Sequence, residues 1–398
     1  MRFIPVAVAA SAVAALALAA VVPASAATSA TASATASGTA SGTASGVAAH
    51  AGKARVTGDV TLPAPALADF EPKLIKDDHG IKLGGVGSGL YPAGRAGEYW
   101  MVTDRGPNGL PEIDGEARRT FPVPEFTPAI VRVAVRNGKA AIKQTITLKT
   151  SDGKPITGLS NQADHDEKPY GWDGRKTLRF NPNGLDTEDI VVGPTGDFWL
   201  VDEYSPSLVR VRPDGRVLAR YVPEGLELEG AGYPVRETLP RIFLSRQQNR
   251  GFEGLGISGD TLYVALQSPL ANPDLATGTS SKVTRILTVD VRTGKPTGEY
   301  AYSFEDAFAF DPKSKSQNDM KISSVVGLGN GRILVEERTD NVARLYTADL
   351  RGATNLLGTK YDLPSTDPSL ESVLRSTVKP LHLSRRGRMG CRGAGCLP

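Results

Sequence analysis

Carboxylates sit at both ends of one short hairpin-like stretch, "NPNGLDTEDIVVGPTGDFWLVDE", residues 181–203. Asp186, Glu188 and Asp189 precede its first apolar run, and Asp202 and Glu203 close its second. Acids gathered at one point can hold a hard cation such as Ca²⁺, which takes about six to eight oxygen ligands. They can also carry a proton for general acid–base catalysis.

The same layout returns along the chain. "SGLYPAGRAGEYWMVTDR" (88–105), "EDIVVGPTGDFWLVDEY" (188–204), "EGLGISGDTLYVALQS" (253–268) and "SVVGLGNGRILVEERT" (324–339) align, with starts spaced 100, 65 and 71 residues apart. Each opens on Ser or Glu, passes a Gly-containing turn, and ends a strand on a polar residue. The strand ends align Asp104, Glu203, Gln267 and Arg338, with Asp202 and Glu337 one position earlier; the starts align Ser88, Glu188, Glu253 and Ser324. If these positions converge, Glu188, Asp202, Glu253 and Glu337 are the expected metal ligands. Asp104, Arg105, Asp202, Glu203 and Arg338 are the expected catalytic residues. Arg105 and Arg338 suit a phosphate or carboxylate gripped through two hydrogen bonds. Acids mixed with arginines fit metal-assisted handling of a small anionic ester. Asp186 and Asp189 read as turn residues. The competing reading is structural: buried acids can pair with backbone amides and arginines simply to fix neighbouring sheets.

Other clusters carry less. "ADHDEKPYGWDG" (163–174) holds Asp164, His165, Asp166, Glu167 and Asp173 in a loop, which reads as a solvated acidic insertion. His79 beside Asp77 and Asp78 reads as a surface turn. Gly84, Gly85, Gly87 and Gly89 lack the Lys-Ser/Thr ending and the strand-then-helix setting of a phosphate loop. Ser88 stands in G-V-G-S-G, out of register for a nucleophile elbow. The sequence contains no His-Glu-x-x-His zinc helix.

The elements that must position these residues are strands. "AIVRVAVRNGKAAIKQTITL" and "LVRVRPDGRVLARYV" alternate apolar and polar residues around Asn137-Gly138 and Asp214-Gly215, the pattern of antiparallel hairpins. Four-stranded antiparallel units repeated along a chain predict an all-β fold, a β-propeller. The long repeat spacing predicts five to seven blades, of which four are visible in sequence. A β-sandwich with a second domain is the alternative.

The ends of the chain set the context. Arg2, an apolar run from Phe3 to Val22 and Ala24-Ser25-Ala26 read as a signal peptide over residues 1–26. The protein is therefore expected to be secreted, with no membrane attachment after its removal. Residues 27–50, "ATSATASATASGTASGTASGVAAH", read as a low-complexity linker and 51–383 as the propeller domain. Residues 384–398, with Cys391 and Cys396, read as an atypical Arg/Gly/Cys tail without a strand pattern, truncated or frame-shifted. A propeller usually closes by pairing strands from both chain ends, so this tail puts closure in question. The Cys-free body depends on its core and not on disulfides. The formal charge is +3, but Arg2 and the tail's Arg385, Arg386, Arg388 and Arg392 account for it; the remainder carries 41 basic against 43 acidic residues. No basic face for nucleic acid results, and a monomer is expected.

With "GGVGSGLYP…EYWMVTDRGPNG", "DTEDIVVGPTGDFWLVDEYSPSLVRVRPDGRVLARYVPEG" and "NRGFEGLGIS", residues 80–380 resemble the secreted bacterial family named for the esterase-like activity of phytase. The resemblance implies a β-propeller and phosphoester hydrolysis, including that of inositol phosphates. Two further functions fit the residues: a non-catalytic extracellular ligand-binding propeller, and a lactonase-type propeller hydrolase.

Overall fold

The computed structural model describes residues 59–364, 370–374 and 381–390. The expected signal peptide, the linker and the two cysteines lie outside the described residues.

Asn137 and Gly138 both take positive φ, 52° and 70°, the type I′ geometry whose twist matches the strands it joins. Local signals of this kind yield four antiparallel sheets. Blade 1 contains strands Val86–Pro92, Glu98–Thr103, Ala129–Arg136 and Lys139–Thr147. Blade 2 contains Thr187–Val192, Phe198–Asp202, Ser207–Val211 and Val217–Pro223, plus a parallel fifth strand, Val235–Leu239. Phe252–Ser258, Thr261–Leu266, Val283–Asp290 and Pro296–Ser303 form blade 3. Lys321–Gly329, Arg332–Arg338, Val342–Asp349 and His382–Gly390 form blade 4.

The first strands of blades 1 to 4 pack side by side in chain order, and each interface between blades has its own apolar core. Val102 and Ile130 meet Ile190, Phe198 and Leu200 between blades 1 and 2. Trp199, stacked on Tyr221 at 5.3 Å, lies in the cluster that joins blade 2 to Leu255, Val264 and Leu287 of blade 3. Tyr263 and Ile286 meet Val325, Ile333 and Val335 between blades 3 and 4. This arrangement is a β-propeller, as the repeats predict.

Four blades are present among the described residues, in place of the five to seven expected. Each visible repeat supplies the inner two strands of one blade. The extra length between repeats forms insertions such as 104–128, 148–186, 224–251 and 304–320 rather than hidden blades. The tail also differs from expectation. Its residues through Gly390 pair along Val342–Asp349 as the outer strand of blade 4. Backbone ladder bonds need no particular side chain, so an Arg/Gly-rich segment can still form a strand. Among the described residues each blade takes its strands in chain order, and none mixes strands from the two ends of the chain. The free face of blade 1 is covered instead by the preceding segment, whose Val60, Leu62 and Phe70 pack on Val131 and Val133. The corresponding face of blade 4 leaves Val326 and Leu328 exposed.

Candidate functional site

In a four-stranded antiparallel blade the first strand starts, and the second ends, on the same rim. At that rim the pairing slips in every blade. Asp202 pairs with Thr187 and Val201 with Asp189, leaving Glu188 as an extra residue. The same slip leaves out Glu253 in blade 3, Ser323 in blade 4, and Gly87 with Ser88 in blade 1. These are β-bulges, which turn a side chain out of the pleat alternation and are common beside functional sites. The bulge residue of blade 4 is therefore Ser323, not the Ser324 suggested by alignment.

Opposite each bulge, the residue that follows the paired second strand completes a couple: Asp104, Glu203 and Gln267, with Arg338 at the same position in blade 4. Glu188 and Glu203 each bring an oxygen, with one from Asp186, to within 4.8 Å of one another. Gln267 donates its side-chain amide to Glu203 Oε1 and to Glu253 Oε2, both at 2.7 Å, tying blade 2 to blade 3. Arg338 donates Nε to Ser323 Oγ and stands 3.8 Å from Glu253. Asp104 accepts from the Gly106 amide at 2.8 Å. Its carboxylate fills the space beside Gly85, where a Cβ would stand 2.4 Å from Oδ1.

These acids are held against their ordinary ionisation. Burial, then the neighbouring Asp186 charge, raises Asp104 to about 7. Burial followed by Glu253 and Asp186 raises both Glu188 and Glu203, with Arg105 and Arg250 opposing at Glu203. Like charges enclosed together favour protons or a cation among them. On the other side of the mouth stand Arg250, Lys321 and Arg338. The mouth is thus polarised, acidic on blades 1 and 2, mixed on blade 3, where Glu253 stands by Arg338, and basic on blade 4.

Asp186, read from sequence as a turn residue, is 1% exposed and central. Its amide donates to Asp202 Oδ1 at 2.8 Å, while its carboxylate accepts from the Arg105 amide at 3.1 Å. The guanidinium of Arg105 lies 3.2 Å from Asp186 Oδ2, donates to Asn249 Oδ1 at 2.6 Å and lies over Tyr204 at 5.3 Å. Arg105 is therefore engaged in holding the acidic side. The signal for Asp186 was its place two residues before a bulge, a spacing that shows only once the register is known.

Asp202 and Glu337 are placed away from this group. Strand residues alternate in direction, so each points to the other side from Glu203 and Arg338. Asp202 is fully buried and paired with Arg220 and Ser207 within blade 2. Glu337 accepts from Tyr302 Oη at 2.6 Å between blades 3 and 4. Asp189 accepts from the Leu255 amide at 2.7 Å, joining blades 2 and 3. In the 163–174 loop Asp166 caps the amides of Asn161 and Gln162 and pairs with Arg246, a structural role. His79 stacks on the exposed Trp172 at 4.7 Å.

Among the described residues no helix is long and apolar enough to cross a membrane. The family described as "Esterase-like activity of phytase" (Phytase-like) matches residues 81–381. An uncharacterized secreted protein of the fungus Arthroderma benhamiae is 29% identical over 320 residues, 69% of this chain and 62% of that protein. The chain thus spans less than two thirds of that relative's length. Among solved structures, the β-propeller domain of Cps50 (Swd1) from Myceliophteria thermophila is 14% identical with a TM-score of 0.30, covering 78% of this chain and 74% of that one. Virginiamycin B lyase from Staphylococcus aureus is 12% identical with a TM-score of 0.26, covering 65% and 79%.

Proposed function

Since the chain belongs to the phytase-like family described by the esterase-like activity of phytase, we propose that it is an exported hydrolase of small anionic esters, phosphate esters foremost, working at the polarised mouth. The convergence of Asp186, Glu188 and Glu203 beside Asp104 carries this reading.

Three carboxylates form an all-oxygen donor set suited to a hard divalent cation such as Ca²⁺. Asp186 Oδ2 supports the fit: it is buried and accepts no hydrogen bond, with Arg105 alongside at 3.2 Å. Asp186, Glu188 and Glu203 would hold the ion, and Glu253, fixed by Gln267, would border it. When bound, such an ion supplies Lewis acidity and positive charge for an ester oxygen. The chain's own groups do the rest. Arg105 fixes Asp186 from behind. Asp104, whose carboxyl lies near 7, accepts the proton of the attacking water at Oδ2 and passes it to the oxygen of the departing alcohol as the ester bond breaks. The basic side orients the anionic end of the ester. Secretion of the fungal relative supports export of this chain.

The test is hydrolysis of inositol hexakisphosphate and of a lactone by the chelator-treated protein before and after Ca²⁺ is restored. Phosphate release that returns with Ca²⁺ and is lost in Glu188→Gln is the expected result. Full release without cation would remove the ion from the reading. Lactone opening without phosphate release would replace the substrate class. Neither reaction, together with cation binding, would leave a ligand-binding propeller.

A further inference from the structure

The basic side of the mouth has more hydrogen-bond donors than acceptors. Lys321 and Arg338 are direct cross-strand partners at the rim of blade 4. Like charges placed opposite each other on a sheet are destabilising, and the carboxylates beside this pair, Asp340 and Glu253, offset it only in part: Asp340 is exposed and Glu253 is also held by Gln267. Arg250, from the segment leading into blade 3, joins them. Burial lowers Arg250 against the opposing charges of Glu203 and Glu253, with Arg338 adding to the lowering; burial and then Arg338 lower Lys321, with Asp340 opposing.

The protein partners of these three cations leave most of their donors unused. Arg338 donates Nε to Ser323, while its terminal nitrogens stand 3.8 Å from Glu253 and Asp340, beyond hydrogen-bond reach. Arg250 donates from Nη1 alone, to Ser268 Oγ and the Asn318 carbonyl, both at 2.8 Å. Lys321 Nζ reaches Asp340 Oδ1 at 3.2 Å, a carboxylate that is 66% exposed. Glu253 is already shared with Gln267. Two guanidinium forks and an ammonium near one rim, with donors left over, match the several acceptors of a tetrahedral oxyanion.

We infer that Arg250, Lys321 and Arg338 form a seat for a phosphoryl dianion, carried either by a phosphate monoester or by free phosphate. As a substrate seat it rests on the hydrolase reading above; as an anion site it stands on this geometry without any turnover. A dianion there would offset the Lys321–Arg338 repulsion and present the ester bond toward the acids of blades 1 and 2. A diester, with one negative charge and two blocked oxygens, satisfies fewer donors.

The experiment is calorimetric titration of the full chain, chelator-treated and dialysed, with inorganic phosphate, methyl phosphate and dimethyl phosphate. Phosphate and methyl phosphate should bind and compete, with dimethyl phosphate at least about tenfold weaker, the scale of one lost charge-assisted bond. Lys321→Met and Arg250→Met should each weaken phosphate by about tenfold or more. Removal of a repelling charge in Lys321→Met should leave the thermal midpoint equal or higher, which separates lost binding from lost fold. Absence of phosphate binding, or binding unchanged in both variants, would overturn the seat. Methyl phosphate failing where phosphate binds would make it a product site only and overturn its substrate role. Phosphate binding with no hydrolysis of any ester would leave the seat intact and remove the hydrolase reading instead.

Discussion

Asp202 and Glu203 are neighbours in the chain with opposite destinations. The carboxylate of Asp202 is sealed inside blade 2 against Arg220, whereas that of Glu203 stands in the mouth within 4.8 Å of Asp186 and Glu188. The strand's alternation separates them: one residue of shift moves a side chain from one face to the other.

Replacing each residue should therefore do different things. Asp202→Ala leaves the Arg220 guanidinium buried without its partner and frees the Asp186 amide, so it should cost about 3–5 kcal/mol of stability. Glu203→Gln removes a repelled charge and should keep or raise the unfolding midpoint while abolishing cation-dependent activity. Urea unfolding and activity measured on the same two samples check both. A stable Asp202→Ala protein would contradict the structural role given to this pair.

Gly85 takes φ +63° and leaves the space that Asp104 fills. Gly85→Ala adds a Cβ where Oδ1 now lies and strains a left-handed backbone, so Asp104 must be displaced. Activity should fall by about tenfold or more while the fold persists, since misplacement by about 1 Å is costly to catalysis. Ser88→Ala, in the strand that Gly85 leads into, serves as the comparison. Equal losses in both would place the effect in the strand and not in Asp104.

The fold was largely legible because alternation and Gly-containing turns are local signals, and the four repeats mark the inner halves of the four blades. The strand-end couple was legible too, since Asp104, Glu203, Gln267 and Arg338 keep one position relative to an apolar strand. Asp186 and the offset at Ser323 were not. Both depend on where a bulge interrupts the register, and no residue type announces that. Asp202 and Glu337 stood beside the right positions, but a carboxylate in sequence does not show which face of the strand it will occupy. The outer strand of blade 4 escaped notice because backbone pairing needs no particular side chain.

Calcium should stabilise the protein more at high pH than at low pH. Glu188 and Glu203 are raised by burial and by each other's neighbours, so protons compete with the ion for their oxygens. Groups with a raised folded value contribute stability below their unfolded value and lose that contribution as pH rises through the folded value. The cation-free protein should thus weaken as pH rises above the ordinary carboxylate range, while added Ca²⁺ offsets the loss by mass action. Thermal midpoints with and without Ca²⁺ at pH 6 and pH 8 measure this directly. A shift of the same size at both, or one that survives in Glu188→Gln, would count against the three-carboxylate site.

Glu71 offers a pH response that is independent of the mouth. It caps the short helix Leu67–Phe70 against blade 1, is 3% exposed, and accepts from the Thr127 amide at 3.1 Å. Burial raises its carboxyl from 4.5 to about 7, against the lowering effect of that amide. The folded state therefore keeps a proton that the unfolded chain releases. Its contribution is fully present below pH 4.5, declines as pH rises toward 7, and is gone above it. The limiting slope is about 1.4 kcal/mol per pH unit, reduced by any relaxation around the charged form. Glu71→Gln, which stays neutral and keeps an acceptor for Thr127, should flatten this part of the stability curve and make the protein more stable than the parent at pH 8. Urea midpoints at pH 5, 6, 7 and 8 for the two proteins give the comparison. Parallel curves would mean that Glu71 ionises in the native state much as it does in water.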